Sequence, residues 1–208
     1  MYLLEFTSLV QGTSFALIGL GVAVRAWVIA QKAAHTSGRN RHEQVAHSLN
    51  TKGMYSMTQH PLYVGSFLIW IGVCIRFNNL LFILGVFFFS ILMLALIIKT
   101  ETAFLNKTFG ETYKRWRSNT PALYINPFKF KPSENPFNSI RVFATEYPTW
   151  VSVATGLLMV DILRFMKTDW SDAWWWQLAT WCGLALVIGL GGRFFKYVVV
   201  RRWLKYSI

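Results

Sequence analysis

Residues 80–98 run for nineteen positions without a charged side chain. As a helix this stretch reaches about 28 Å, close to the ~30 Å hydrocarbon thickness of a bilayer. A second apolar run, 9–30, interrupted only by Arg25, is long enough to do the same. Charged residues make up 14% of the 208-residue chain, hydrophobic ones 54%, and mean hydropathy is +0.36. A soluble domain carries about 25% charged residues. These features predict an all-α polytopic membrane protein without a large soluble domain, because lipid-exposed backbone must bond within its own helix.

The formal net charge of +12 invites a nucleic-acid reading, which the placement of the charges opposes. Four Lys and Arg lie in 31–59, eight in 99–147 and five in 193–208, each block flanking apolar runs. That is the distribution of positive-inside topology, and no nucleic-acid partner is expected. The N-terminal MYLLEFTSLV lacks a basic region and a small-residue cleavage site, so run 9–30 reads as a retained helix. Arg25, near its end, is expected to snorkel to the interface. Cys74 and Cys182 sit in apolar runs and fit no metal spacing. His35, His42 and His47 are spaced by seven and five, not as helical ligand pairs, so no metal is expected.

Run 62–75 is short, about 21 Å as a helix. Four residues, 76–79, separate it from 80–98, which makes an antiparallel helical hairpin. To reach across, its helix must start earlier, and Pro61 suits a first helical turn. Residues 99–116 read as an amphipathic continuation with Gly110 interrupting. The four prolines in 118–137 predict extended or turning chain. A fourth span is expected over 148–165, with Asp161 and Arg164 paired at i, i+3. A fifth begins at Trp174-Trp175-Trp176 and ends at 189–192. Five spans put all three basic blocks on one side, with the N-terminus outside and the C-terminus cytoplasmic. The chain is expected to form one membrane domain in three stretches: 1–52, the motif region 53–127, and 128–208.

The stretch with chemistry in it is GMYSMTQHPLYVG, 53–65. It is densely polar for the start of a membrane helix, and such groups are tolerated only against protein or a water-filled cavity. The hairpin brings the end of its second helix, with Glu101, back beside His60. A carboxylate, an imidazole and several aromatics suit a polar, partly cationic cofactor, since aromatic faces attract sulfonium and ammonium groups. Phosphate-cradling and dinucleotide fingerprints are absent.

Gly53-x-Tyr55-x-x-Thr58-x-His60-Pro61-Leu62-Tyr63-Val64-Gly65 resembles the G-x-Y-x-x-(S/T)-R-H-P-x-Y-x-G signature of integral-membrane methyltransferases. These include the isoprenylcysteine carboxyl methyltransferases and the phospholipid N-methyltransferases. Glu101-x-x-Phe104-Leu105, Phe109-Gly110-x-x-Tyr113 and Pro121 resemble the second half of that family's pattern. Gln59 stands where the family has arginine, and Thr102 where it has a second glutamate.

The resemblance implies S-adenosylmethionine as cofactor at a cytoplasmic mouth, and a hydrophobic or lipid-like substrate entering from the membrane lipids. It implies cofactor contacts from Tyr55, Thr58, Gln59, His60, Tyr63, Gly65 and Glu101. A carboxylate acceptor needs only a cation to orient it, for which Arg115 and Arg117 are candidates. An amine acceptor must lose a proton, for which Glu101 is a candidate base. Glu101 and Arg117 are thus the candidate catalytic residues. Two alternatives stay open. One is a reductase resembling the sterol C14 and 5α reductases, whose acidic residue after the glycine is here Ser66. The other is a non-enzymatic protein that keeps the fold.

Overall fold

The computed structural model describes residues 2–32, 48–166 and 172–200. His35, His42 and His47, with part of the basic C-terminal tail, lie outside them. The described residues form α1 (Tyr2–Gln31), a single turn α2 (Met54–Met57), α3 (Pro61–Ile75), α4 (Leu80–Asn119), α5 (Ser139–Phe165) and α6 (Asp172–Phe195). A 3-10 turn, Pro127–Lys129, lies between α4 and α5, and a π turn, Lys196–Val200, follows α6. No strand occurs among the described residues; one isolated bridge pairs Gly53 with Lys131. The chain is a multi-pass, all-helical membrane protein.

Among the described residues four helices are long and apolar enough to cross a membrane: Ser8–Gln31, Leu80–Asn119, Ser139–Phe165 and Trp174–Val198. The expected count of five therefore resolves into four such helices and one short one. Pro61–Ile75 has 15 residues, about 22 Å. It begins at the proline, as its composition required. The fourth span starts nine residues earlier than expected, at Ser139, with Pro148 inside the helix. On α4 and α6, large apolar side chains such as Leu81, Phe88, Val187 and Phe194 are exposed. Such surface is at home in hydrocarbon and costly in water.

The described residues divide into two compact units that interleave in sequence. One draws on Met1–Leu20, Leu68–Val86 and Ser139–Ile208, the other on Gly21–Phe67 and Phe87–Asn138.

The first unit is organised around a buried charge. Asp161, 0% exposed, accepts from Arg76 Nε at 2.9 Å and Nη2 at 3.0 Å. Gln177 Nε2 and Trp181 Nε1 also donate to it, at 2.9 and 2.8 Å. The Arg76 guanidinium lies 5.5 Å from the ring centre of Phe15 and 5.9 Å from that of Trp181. Arg164 does approach Asp161, at 3.8 Å, but as the weaker partner. Arg76, read in sequence as part of a turn, is the stronger one. Ile69, Val73, Leu157 and Val160 fill the core beside this cluster. Ser14 Oγ donates to Gly72 O at 2.7 Å, where a Cβ on Gly72 would collide with α1.

Removing one member of a buried ion pair leaves the other charged and desolvated, which costs about 3–5 kcal/mol. Asp161→Ala should therefore lower thermal stability in detergent sharply. Asp161→Ala with Arg76→Met should recover a large part of the loss. Equal melting temperatures for wild type and Asp161→Ala would show that the pair carries no stability.

Candidate functional site

The second unit holds 53–65 and Glu101 together. α4 reaches about 60 Å if straight, twice a hydrocarbon core, but Gly110 leaves helical geometry at φ 50, ψ −124. That left-handed φ is open to glycine and strained for other residues. The chain then folds back: Tyr113 Oη and Thr102 Oγ1 are 3.3 Å apart, whereas residues separated by eleven positions in a straight helix lie about 16 Å apart. Trp116 Nε1 consequently reaches Tyr55 O, at 3.1 Å.

The segment after α4 is laced to 53–60. Gln59 N donates to Pro121 O at 2.8 Å, and Gln59 Nε2 to Arg117 O at 3.1 Å and to Thr120 O. Thr58 Oγ1 donates to Ala122 O at 3.1 Å and Asn126 N to Met57 O at 3.0 Å. Lys131 N donates to Ser56 Oγ at 2.8 Å, and Gly53 N to Lys131 O at 2.8 Å. Thr58 and Gln59 are thus both buried and both spent on backbone carbonyls. Glutamine suits this position because its amide offers two donors and no charge.

His60, at the mouth of α3, is 4% exposed, and its Nδ1 lies 3.5 Å from Glu101 Oε2. Tyr63 Oη donates to the same oxygen at 2.8 Å. The His60 and Tyr63 rings stack at 5.5 Å with 21° between their planes. The hairpin therefore does bring Glu101 to His60. His60 Nε2 is buried without a hydrogen-bond partner, a costly state that a polar ligand atom would relieve. Glu101 keeps 28% of its side-chain surface exposed, so the carboxylate is reachable. Burial first, then the Glu101 charge, raise the Tyr55 phenol above its ordinary value, with Arg25 acting the other way. Tyr55 accordingly stays protonated and able to donate.

Gly65 does not reach into this group. A Cβ there would lie 2.6 Å from Arg25 Cγ and 2.9 Å from Gly21 O, so its smallness lets α1 pack against α3. Arg25 departs from the snorkelling expectation. It is 7% exposed, and its Nη1 donates to Ser66 Oγ at 2.6 Å and Leu62 O at 3.3 Å. Those two residues flank Tyr63, so the arginine fixes the turn that aims the phenol at Glu101. Its signal in the sequence was a charge in an apolar run with Gly21 one turn away, legible only once Gly65 is known to face it. The Arg117 side chain is exposed, and its contribution to the lacing is its main-chain carbonyl. Arg115 is exposed as well. No group of three His, Cys, Asp or Glu able to hold a metal occurs among the described residues.

A family model described as phospholipid methyltransferase matches residues 9–112, half of the chain, and that stretch contains His60, Tyr63 and Glu101. The chain belongs to the phospholipid methyltransferase family. It is also similar to two proteins named protein-S-isoprenylcysteine O-methyltransferase. With that of Schizosaccharomyces pombe it shares 28% identity over 133 residues, 58% of this chain and 52% of the relative. With that of Xenopus laevis it shares 30% over 135 residues, 61% of this chain and 47% of the relative. The chain thus spans about half the length of these curated relatives. No solved structure matches it.

In this family member the α1–α3 contact is the mechanical base of the site. Gly65→Ala forces Arg25 and the Gly21 carbonyl aside and should cost about 1–3 kcal/mol in detergent unfolding. Gly85→Ala, with nothing within 4 Å of the added carbon, should cause no loss and gain up to ~1 kcal/mol from helix propensity. Equal losses at the two positions would refute the close approach.

Proposed function

We propose that the protein transfers a methyl group from S-adenosylmethionine to a hydrophobic or membrane-embedded acceptor. The observation that carries this reading is the His60–Tyr63–Glu101 group inside the stretch that matches the family. The cofactor, when bound, supplies a methyl carbon activated by a sulfonium. The residues present fit such a group: an orphaned imidazole nitrogen, a reachable carboxylate and a protonated phenol. Glu101 would balance the cation or accept from ribose hydroxyls, held in place by Tyr63. His60 Nε2 and Tyr55 would bind polar atoms of the cofactor. Thr58, Gln59 and Gly65 would act indirectly, by fixing the walls of the site.

For a carboxylate acceptor the protein need only position and desolvate the reactants, which can supply much of the barrier reduction. Arg117, exposed at the end of α4, would then be the orienting cation. For an amine acceptor Glu101 is the group available to take the proton. The names of the two relatives favour an isoprenylcysteine-like carboxylate, and the family description favours a lipid amine. With the N-terminus outside and the C-terminus cytoplasmic, the site would face the cytoplasm, where a soluble cofactor can reach it.

Purified protein in detergent should bind S-adenosylhomocysteine at micromolar concentration by calorimetry, and not NADPH. Glu101→Gln and His60→Ala should each weaken that binding by about tenfold or more, the loss expected from deleting a contact to a charged group, while the protein still melts cooperatively. Binding of NADPH alone would replace this reading with a reductase. Unchanged affinity in both variants would move the site elsewhere. The orientation is checked separately: Ser118→Cys, at an exposed position, should be labelled by an impermeant reagent only from the cytoplasmic side.

A further inference from the structure

Residues 121–137 cross the ends of α3 and α1. At one end they bond to Met57, Thr58 and Gln59, immediately before α3 enters its apolar run at Pro61. Towards the other, Ser133 Oγ and Asn135 Nδ2 donate to Gln31 O, at 3.2 and 3.4 Å, and Asn138 N donates to Ala30 O at 3.1 Å. Both attachment points are places where an apolar helix meets polar chain. The connection therefore runs along the boundary between hydrocarbon and water.

Its backbone is tied inward, yet its large side chains point outward: Phe128 is 97% exposed, Tyr124 68%, Phe137 57%, Phe130 46% and Leu123 44%. Phe137 meets Trp27 edge-on at 6.3 Å, and Trp27 is itself 46% exposed. Aromatic rings of this kind collect at headgroup level. Lys129 and Lys131 are interleaved with them and exposed; the Lys129 ammonium, which has three donors, gives one to Asn119 O. The acid of the stretch, Glu134, is already paired with Lys52. What remains outward is apolar and positive.

We propose that residues 121–137 form an interfacial anchor, with Tyr124, Phe128 and Phe130 seated among lipid headgroups and Lys129 and Lys131 selecting anionic lipids. The anchor is independent of the methyl-transfer chemistry. It adds a lipid-specific contact to a protein whose four long helices require only hydrocarbon.

The test uses the full chain with Cys182→Ser, in bilayers of three parts phosphatidylcholine to one of phosphatidylglycerol. A nitroxide at Phe128→Cys should be relaxed more by oxygen, which concentrates in hydrocarbon, than by an aqueous nickel chelate. A nitroxide at Glu111→Cys, beside the Gly110 turn, should show the opposite order; Tyr124→Cys provides a second anchor position. A fluorophore at 128 should be quenched more by headgroup-labelled phosphatidylglycerol than by labelled phosphatidylcholine. Lys129→Gln with Lys131→Gln should cut that preference by about fivefold or more at low salt. Nickel access at 128 equal to that at 111 would place the loop in water and overturn the proposal. Protection from both reagents would mean a protein surface covers it, which overturns it too. Equal quenching by the two lipids would overturn the anionic selection.

Discussion

A charged side chain inside a bilayer is costly unless it is paired, and Asp161, Arg76, Arg25 and Glu101 meet that rule by joining segments far apart in sequence. Asp161 accepts four hydrogen bonds from three residues in addition to the approach of Arg164, and Arg76 reaches it across eighty-five positions. Arg25 is satisfied by a serine and a carbonyl on α3, and Glu101 by Tyr63 with His60 close by. Each pairing draws separate helices together where lipid offers no hydrophobic force between them. In the first unit this produces a packed core, in the second the cluster of His60, Tyr63 and Glu101.

In the second unit short, irregular pieces of chain build much of the candidate site. α2 is one turn long, and the segment that follows α4 is mostly non-helical. Their backbone groups nevertheless bond to each other from Gly53 to Gln59. Thr58 and Gln59, within the stretch that resembles the family signature, spend their side chains on this lacing. Replacement of the family's arginine by Gln59 is therefore compatible with an intact wall, because the amide donates to two carbonyls at the end of α4. At the other unusual position, Thr102 receives the Tyr113 hydroxyl and helps close the turn after Gly110.

Much of this was legible in the sequence, for identifiable reasons. The uncharged run 80–98 has one low-cost environment, so membrane insertion followed from composition. The four residues between runs 62–75 and 80–98 forced antiparallel neighbours, which placed Glu101 beside His60. Glycine at 110 marked the break in α4. The misses share a cause: Arg25 and Arg76 were judged by local rules, whereas their roles are set by what lies across from them. An arginine over a glycine notch and an arginine opposite a buried aspartate look the same in sequence as a snorkelling charge and a turn.

By itself the sequence determined the solvent, the helical class and the meeting of His60 with Glu101 at the α3 mouth, because hydropathy, short connections and residue chemistry are local properties. Only the tertiary structure decided which polar groups are consumed in holding the chain and which are left to act. Thr58 and Gln59 fall to the first role, while the unpartnered His60 Nε2 and the exposed part of Glu101 fall to the second. The physical reason is that a hydrogen bond is made once: whether a donor is free for a ligand depends on whether a carbonyl from a distant segment has already taken it.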